Sequence, residues 1–223
     1  MTKIASITVS RKDSVRVKDK WSALIGDKGL LENKIHQLKK SNLINEVVIG
    51  TNISVVEQIC NNLEVTHKFR EDYYCDESKC SANEMILDMC KKTTADIIVW
   101  AHCTNPLVKS STYDNAILTF LEKEKEGYDS LVSVEILKEH LWTNCKKPLN
   151  YNPYQKKHVL ASQLDPLYKQ NGAIFIQRKH NFISNSYFFG KNPFLFVMDK
   201  YESLDVNDEL DLLLANTIKR NKK

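Results

Sequence analysis

The chain has 223 residues, enough for one α/β domain with a sizeable core, and its content of 42% hydrophobic and 27% charged residues is ordinary for a globular protein. A formal net charge of +4 is too small to indicate nucleic-acid binding, although it suits a small substrate that carries phosphate. The six cysteines contain no CxxC pair and no Cys/His spacing of a zinc site, which argues against a zinc protein.

The N-terminal region lacks the form of a signal peptide, because the apolar run Ile4–Val9 is short and Arg11, Lys12 and Asp13 follow it directly. No apolar run approaches the ~20 residues that span a bilayer. We therefore expect a cytoplasmic protein with reduced thiols and without a membrane partner.

Apolar runs alternate with segments of helical periodicity through the first two thirds of the chain. Strands are predicted at Ile4–Val9, Glu46–Thr51, Val65–Phe69, Asp96–Ala101 and Ser130–Val134, and helices at Leu30–Lys40, Val55–Leu63, Ser81–Lys91 and Ser111–Lys125. The clearest strand is Asp96–Ala101, whose continuous apolar run is typical of parallel strands covered on both faces. This alternation predicts one α/β domain over residues 1–223, with a doubly wound, mostly parallel sheet.

Residues 139–166 interrupt the alternation, because this segment has little periodicity of either kind. Its aromatic residues Trp142, Tyr151 and Tyr154 are interleaved with lysines. A long irregular segment inside a compact domain usually has a function, such as a lid or an interface arm. The segment is thus either a flexible surface excursion or an inserted arm at the interface of a homodimer.

The basic loop after the first strand lies where doubly wound folds bind ligands, at the carboxyl edge of the sheet. It contains the five cations Arg11, Lys12, Arg16, Lys18 and Lys20, with Ser14 between them. Cations in this number would neutralise a triphosphate and stabilise charge on a transferred phosphorus. The alternative is a solvated basic loop.

Two segments near the C-terminus carry the most specific pattern. The Asn171-Gly172 pair predicts a turn that enters the apolar strand Ala173–Ile176. In the segment 203–211, apolar residues alternate with oxygen-bearing ones, which places Asp205 and Asn207 on one face before a helix begins. Oxygen ligands grouped in this way favour Mg²⁺.

These two segments resemble the pattern NGAIYI … SIDIDTELD of the sialic-acid-type (acylneuraminate or CMP-sugar-acid) cytidylyltransferases, and the resemblance runs from about Ile4 to Ala215. It implies a nucleotide-diphospho-sugar transferase-like fold with a small dimerisation extension at residues 139–166. It also implies an enzyme that activates a sugar acid with CTP, giving a CMP-sugar for cell-surface glycans and pyrophosphate. Mg²⁺ would be the cofactor and a homodimer the assembly.

The resemblance assigns roles to residues in the basic loop and beyond it. The loop is similar to the family pattern ARGGSKRIPxKN, with Lys12-Asp13 in place of the two glycines. Its matching positions are Arg11 and Lys20 as catalytic cations, and Ser14 and Arg16 as nucleotide-binding residues. Two further nucleotide-binding residues, Arg70 and Ser81, match a separate family stretch, RP … DxASS. Loss of the glycines implies that side chains hold the phosphates more than backbone amides do.

The acceptor and metal positions follow from three further matches. Residues 101–107 resemble the family stretch LQPTSPL, with a histidine in place of the glutamine. The implied acceptor-binding residues are His102, Thr104, Asn105, Asn171 and Gly172, and the implied metal ligands are Asp205 and Asn207. The family has an aspartate where Asn207 stands, and an arginine for the sugar carboxylate where Ala161 stands.

Three alternatives remain open at this point. A different acceptor, such as a phosphonate or an unusual nonulosonic acid, is favoured by Ala161 and His102. A non-catalytic relative that binds nucleotide is favoured by the missing glycines and by Asn207. A nucleotide-sugar glycosyltransferase also combines such a sheet with a carboxylate metal site.

Overall fold

The structure, a computed structural model, describes residues 2–12 and 19–221. The predicted nucleotide-binding residues Ser14 and Arg16 therefore lie outside the described residues. The strands are β1 (Ile4–Val9), β2 (Leu24–Ile25), β3 (Lys28–Gly29), β4 (Glu46–Thr51), β5 (Thr66–Phe69), β6 (Ile97–Trp100), β7 (Ser130–Leu137), β8 (Leu167–Arg178) and β9 (Pro193–Val197). The α-helices are α1 (Leu30–Lys39), α2 (Ser54–Asn62), α3 (Asp72–Cys75), α4 (Ala82–Lys91), α5 (Ser110–Lys125), α6 (Lys179–Asn185) and α7 (Glu209–Asn221).

Seven strands of the described residues form one sheet in the order β5-β4-β1-β6-β8-β7-β9. The neighbours from β5 to β6 are all parallel, and β7 is parallel to β9. Strand β8 is antiparallel to both of its neighbours, β6 and β7. The sheet is thus mostly parallel with one reversed strand, as the alternation of strands and helices predicted.

Both faces of the sheet are covered by helices, because alternate residues of the same strand enter different cores. Ile97 and Val99 of β6 pack with side chains of α1, α2 and α5, whereas Ile98 and Trp100 pack with α4 and α6. Burial on both faces explains the continuous apolar run in this strand. The predicted doubly wound α/β class is confirmed.

The predicted turn at Asn171-Gly172 is wrong in detail, because the pair lies inside the twelve-residue strand β8. Opposite it, β7 pairs Val132 with Phe175 but Val134 with Gln170, so β8 bulges outward between these positions. Gly172 has a φ of +72°, which favours glycine. The bulge lies next to the carboxyl end of β6, where Trp100 pairs with Phe175.

The segment between β7 and β8 has little regular structure, in agreement with its lack of periodicity. A single bridge joins Trp142 to Pro148, and His140 stacks on His158 at 5.0 Å between ring centroids. Trp142 is 60% exposed and Tyr154 is 92% exposed. We call residues 139–166 the arm. Among the described residues, no helix is both long and apolar enough to cross a membrane.

Candidate active site

Two clefts open at the carboxyl edge of the sheet and meet at His102, which follows β6. The wide cleft, of about 810 Å³, is lined by His102, Asn171, Gly172, Asp205, Asn207 and further residues of the same segments. The narrow cleft, of about 260 Å³, is lined by Ser10, Arg11, Arg70, Ser81 and His102 among others. The fold therefore brings three of the predicted acceptor residues and both predicted metal ligands to one cleft, and Arg70 and Ser81 to its neighbour. The predicted acceptor residues Thr104 and Asn105 line neither cleft.

His102 is half-buried between the two clefts and is oriented by aromatic rings. Its ring packs edgewise against Phe175 and Phe188, at 5.9 Å and 5.7 Å between centroids. Burial lowers the pKa of His102, while the nearby Asp205 acts in the opposite direction. A Cβ at Gly172 would lie 3.5 Å from the imidazole Nδ1, an ordinary van der Waals contact, so it is the φ of +72° that favours glycine beside the ring.

Asp205 and Asn207 face the wide cleft together, as their alternation with Leu204 and Val206 predicted, although no strand forms here. Asn207 Nδ2 donates to Asp205 Oδ2 at 3.0 Å. The second oxygen, Asp205 Oδ1, is buried and has no hydrogen-bond partner in the part of the chain that the structure describes. An unpartnered buried carboxylate oxygen is a position that a cation would satisfy.

The donor set fits a magnesium ion that binds together with its substrate. Mg²⁺ is commonly held by one or two carboxylates plus substrate phosphates and water, without a complete protein cage. Within residues 2–12 and 19–221, no group of three His, Cys, Asp or Glu side chains is arranged to hold a metal ion unaided. Asp211 lines the same cleft but accepts the backbone N–H of Asn207 at 2.8 Å, so it supports the segment.

Lys20, predicted from the sequence as a catalytic cation of the basic loop, lies beside the segment that carries the predicted metal ligands. Its Nζ donates to the carbonyl oxygens of Val206 at 3.0 Å and Asn207 at 3.2 Å. The ammonium group therefore places a positive charge next to Asp205 and ties the loop after β1 to the segment before α7. Electrostatic stabilisation and positioning are both compatible with this contact.

The narrow cleft contains two arginines whose side chains are already engaged. Arg70 is buried, and its guanidinium donates to the carbonyls of Ser10, at 3.1 Å, and of Tyr74. Arg11 forms an ion pair with Glu77 at 2.8 Å and donates to the Cys75 carbonyl at 3.2 Å. Arg70 thus shapes the wall of the cleft, and Arg11 is available to an anion that displaces Glu77.

Ser81 has a structural role in addition to its place on the narrow cleft. It is the N-cap of α4, where its hydroxyl accepts the backbone N–H of Glu84 at 3.2 Å. The Glu84 carboxylate in turn accepts the Ser81 N–H at 2.9 Å, which completes a capping box. The match of Ser81 to the family pattern therefore has a local physical explanation as well.

Asn105 and Asn171, both predicted to bind the acceptor, are buried and bonded inside the protein. Asn105 Nδ2 donates to the carbonyl oxygens of Asn171, at 3.0 Å, and Leu204, at 3.3 Å. Asn171 Oδ1 accepts the Ser133 hydroxyl at 2.6 Å, and its Nδ2 donates to the Ser203 hydroxyl at 2.9 Å. Asn171 thus lines the wide cleft, whereas Asn105 holds its wall from behind. Thr104 contributes its carbonyl, which accepts the Val206 N–H at 2.8 Å.

The chain matches the family model described as cytidylyltransferase over residues 5–213. The chain belongs to the cytidylyltransferase family. The match includes nearly all of β1, the narrow cleft, the wide cleft except Leu214 and Ile218, and the first five residues of α7, so it covers every described residue predicted for the site.

Two relatives of this chain are named for N-acylneuraminate and for the modification of flagellin. An N-acylneuraminate cytidylyltransferase from Escherichia coli is 25% identical over 238 residues, covering 99% of this chain and 53% of that protein. This chain therefore spans about half the length of that relative. The post-translational flagellin modification protein B of Campylobacter coli is 22% identical over 231 residues, covering 100% of this chain and 97% of that protein.

Among solved structures, the fold is similar to that of CMP:2-keto-3-deoxy-manno-octonic acid synthetase complexed with CTP. The TM-score is 0.72 at 12% identity, and the alignment covers 100% of both chains. At this identity the likeness supports the fold.

The sequence analysis missed two residues near the site. One is Glu77, which pairs with Arg11. The other is Lys34, which is buried in α1, as its position among the apolar residues of that helix could have indicated.

Proposed function

We propose that this protein transfers CMP from CTP to a hydroxyl group of a sugar acid, giving a CMP-sugar acid and pyrophosphate. The observation that carries the proposal is the meeting of two clefts at His102, with basic residues in the narrow cleft and an unpartnered carboxylate oxygen in the wide one. Family membership and the name of the Escherichia coli relative support the same reaction.

In this proposal the narrow cleft binds the nucleotide and the wide cleft binds the acceptor. Arg11 contacts the phosphates after leaving Glu77, and Lys20 contributes charge from the side of the metal segment. The acceptor hydroxyl attacks the α-phosphorus and pyrophosphate leaves, so no side-chain nucleophile is needed. His102, at the junction of the clefts, orients the attacking hydroxyl. Two reactants held side by side gain most of their rate from proximity and orientation.

Mg²⁺ is the cofactor we propose, held by Asp205 and Asn207 on the wide cleft. When bound, it would supply positive charge that stabilises the phosphate groups of the nucleotide. Asn207 brings no charge, so the site depends more on the substrate's own phosphates for affinity than a site with two aspartates would. The alternation of these residues and the unpartnered Asp205 oxygen support the assignment.

We propose a homodimer in which the arm reaches the partner, and a role in the cytoplasm, where CTP is made, in the supply of activated sugars for cell-surface glycans. The exposed aromatic residues Trp142 and Tyr154 support the dimer, since aromatic residues anchor interfaces. Lys200 and Lys169 line the wide cleft and are the cations that we propose for the carboxylate of the sugar acid, because Ala161 stands at the family's arginine position. Lys169 would have to leave its ion pair with Glu135, at 2.9 Å, to bind this carboxylate.

Release of pyrophosphate tests the reaction directly. The protein would be mixed with CTP, Mg²⁺ and a panel comprising N-acetylneuraminate, 2-keto-3-deoxy-manno-octonate, an unusual nonulosonic acid and a phosphonate. We expect release that requires both CTP and one of the sugar acids, and a CMP-sugar product by mass spectrometry. Release with the phosphonate alone would identify a different acceptor class, and binding of CTP without release in any mixture would contradict catalysis.

A further inference from the structure

Lys34 is a fully buried lysine on the inner side of α1. Its Nζ donates to the carbonyl oxygen of Asn105 at 2.8 Å and lies 2.6 Å from the hydroxyl oxygen of Tyr113. Burial lowers the pKa of Lys34 to about 7. A neutral amine can donate its two N–H groups to one carbonyl and one hydroxyl, whereas an ammonium group has a third N–H, and Lys34 has only these two partners among the described residues.

The carbonyl that Lys34 contacts belongs to the loop that carries His102. Side chains of α1 form hydrogen bonds with two successive residues of this loop, Asn105 and Pro106. Asn33 Nδ2 donates to the Pro106 carbonyl at 3.0 Å, and Gln37 Nε2 donates to the same oxygen at 2.6 Å. Of the three hydrogen bonds from α1, only the one from Lys34 is made to Asn105. The helix therefore fixes the backbone of Asn105 through a single side chain.

Asn105 in turn connects the two walls of the wide cleft. Its Nδ2 donates to the carbonyl of Asn171, in the bulge of β8, and to the carbonyl of Leu204, in the segment before α7. Gly172 and Asp205, which line the cleft, directly follow these two carbonyl residues. The placement of one buried amide thus sets the position of both walls.

We propose that Lys34 is a positioning residue for the wide cleft, which acts by fixing Asn105 from α1 so that the Asn105 amide holds the β8 bulge and the Asp205 segment together. Lys34 does not line the cleft, so its action passes through Asn105. The expected effect on acceptor affinity rests on the proposed function, since it assumes that the acceptor binds in the wide cleft.

The charge state of Lys34 predicts that acceptor affinity depends on pH. The titratable groups that face it are Tyr113 from α5, His102 and Cys103 from the loop after β6, and Glu202 from the segment before α7. Protonation adds an N–H beyond the two partners that Lys34 has in the described part of the chain, and a buried donor without a partner weakens the contacts around it. Acceptor affinity is therefore expected to fall as the pH is lowered through about 7 in the parent protein.

A kinetic comparison of Lys34→Met with Tyr113→Phe tests the idea. Methionine keeps the length of the stem and removes both hydrogen bonds of the amine, whereas Tyr113→Phe removes one partner and leaves the bond to Asn105. With CTP, Mg²⁺ and N-acetylneuraminate, we expect Lys34→Met to raise the KM for the acceptor about tenfold and change the KM for CTP less than about twofold. The pH dependence of the acceptor KM near 7 should flatten in this variant only.

Tyr113→Phe should leave the acceptor KM unchanged. Equal increases in both KM values for Lys34→Met, or the same acceptor defect in Tyr113→Phe, would mean that Lys34 only supports the fold. If Lys34→Met does not fold, Asn105→Ala replaces it, because this variant removes the bridging amide and retains the carbonyl that Lys34 contacts. Asn105→Ala should reproduce the acceptor defect, and a normal acceptor KM would overturn the proposal.

Hydrogen exchange measured by mass spectrometry tests the positioning without any turnover. The reporting amides are Ala173, bonded to Asn171 Oδ1, and Val206, bonded to the Thr104 carbonyl. Lys34→Met should accelerate exchange in both peptides, and Tyr113→Phe in neither. If the parent turns over CTP and exchange in Lys34→Met is the same as in the parent, the positioning role alone is overturned. If exchange is faster in Lys34→Met but the parent has no activity, the positioning role is supported and the proposed function is contradicted.

Discussion

Arg11 and Glu77 form an ion pair at 2.8 Å at the edge of the narrow cleft, where the basic loop meets the segment before α4. The Glu77 side chain is 81% exposed, so the pair is solvated and separates at little cost. An incoming triphosphate competes with a single carboxylate for the same guanidinium. Glu77 is thus an exposed counter-ion of the cation that we expect to bind phosphate.

We predict that Glu77→Gln lowers the KM for CTP by up to about fivefold, since an exposed ion pair is worth only ~0.2–1 kcal/mol. Steady-state pyrophosphate release at varied CTP measures the effect. Glu71→Gln is the matched control, because it removes the same charge from an exposed residue of the same segment. Arg11→Ala should instead slow turnover by on the order of 100-fold. An unchanged KM in Glu77→Gln would show that Arg11 does not meet the phosphates.

The sequence pattern predicted the strands of the sheet better than the details of the site. The run Ile97–Trp100 was recognisable because burial on both faces requires apolar residues throughout. In contrast, the pair Asn171-Gly172 has the same composition in a turn and in a bulge. The bulge depends on Ser133 from the neighbouring strand, whose hydroxyl bonds Asn171 Oδ1 and the Ile174 N–H.

Asn105 illustrates why the roles of polar residues were harder to predict. Its bonds join positions 66 and 99 residues away in sequence, and no local pattern reports such partners. Lys34 did leave a signal, since it falls between Leu31, Ile35 and Leu38 on the apolar face of α1. The shared orientation of Asp205 and Asn207 was predicted by alternation alone.

We predict that Asp205→Ala abolishes turnover and weakens binding of Mn²⁺, used as a paramagnetic probe for Mg²⁺, while the unfolding temperature stays close to that of the parent. The reason is the loss of the unpartnered oxygen on the wide cleft. Asp208→Ala is the control, since Asp208 is an exposed carboxylate nearby whose Oδ1 accepts the Asp211 N–H at 3.0 Å. Undiminished pyrophosphate release in Asp205→Ala would exclude this metal site.

Asn207→Asp should lower the Mg²⁺ concentration needed for half-maximal turnover, because it adds a charge to the proposed metal site. Without metal, the new carboxylate would lie about as close to Asp205 as Nδ2 does now, at 3.0 Å, and the repulsion should lower the unfolding temperature. Added Mg²⁺ should restore the unfolding temperature. A large loss of activity at saturating Mg²⁺ would indicate that the Asn207 amide itself is required.

The depressed pKa of Lys34 predicts a stability that depends on pH. The pKa falls from 10.5 to about 7, so the unfolded chain binds more protons between these values and folding stability rises with pH across that window. Lys34→Met removes this dependence. Its unfolding temperature relative to the parent should therefore be lower at pH 9 than at pH 6, and a difference that is the same at both pH values would contradict a neutral buried amine.

The final prediction concerns the arm, whose aromatic residues are exposed in the isolated chain. Trp142 and Tyr154 are 60% and 92% exposed, a costly arrangement for residues that usually bury their rings at interfaces. We expect light scattering to give twice the mass of one chain. Replacing residues 144–157 by a short Gly-Ser linker should give a monomer that still binds CTP but no longer uses the acceptor. Trp142→Ala, which shortens only one side chain, should weaken the dimer and make its mass depend on concentration. A parent protein with the mass of a single chain at all concentrations would rule out the dimer.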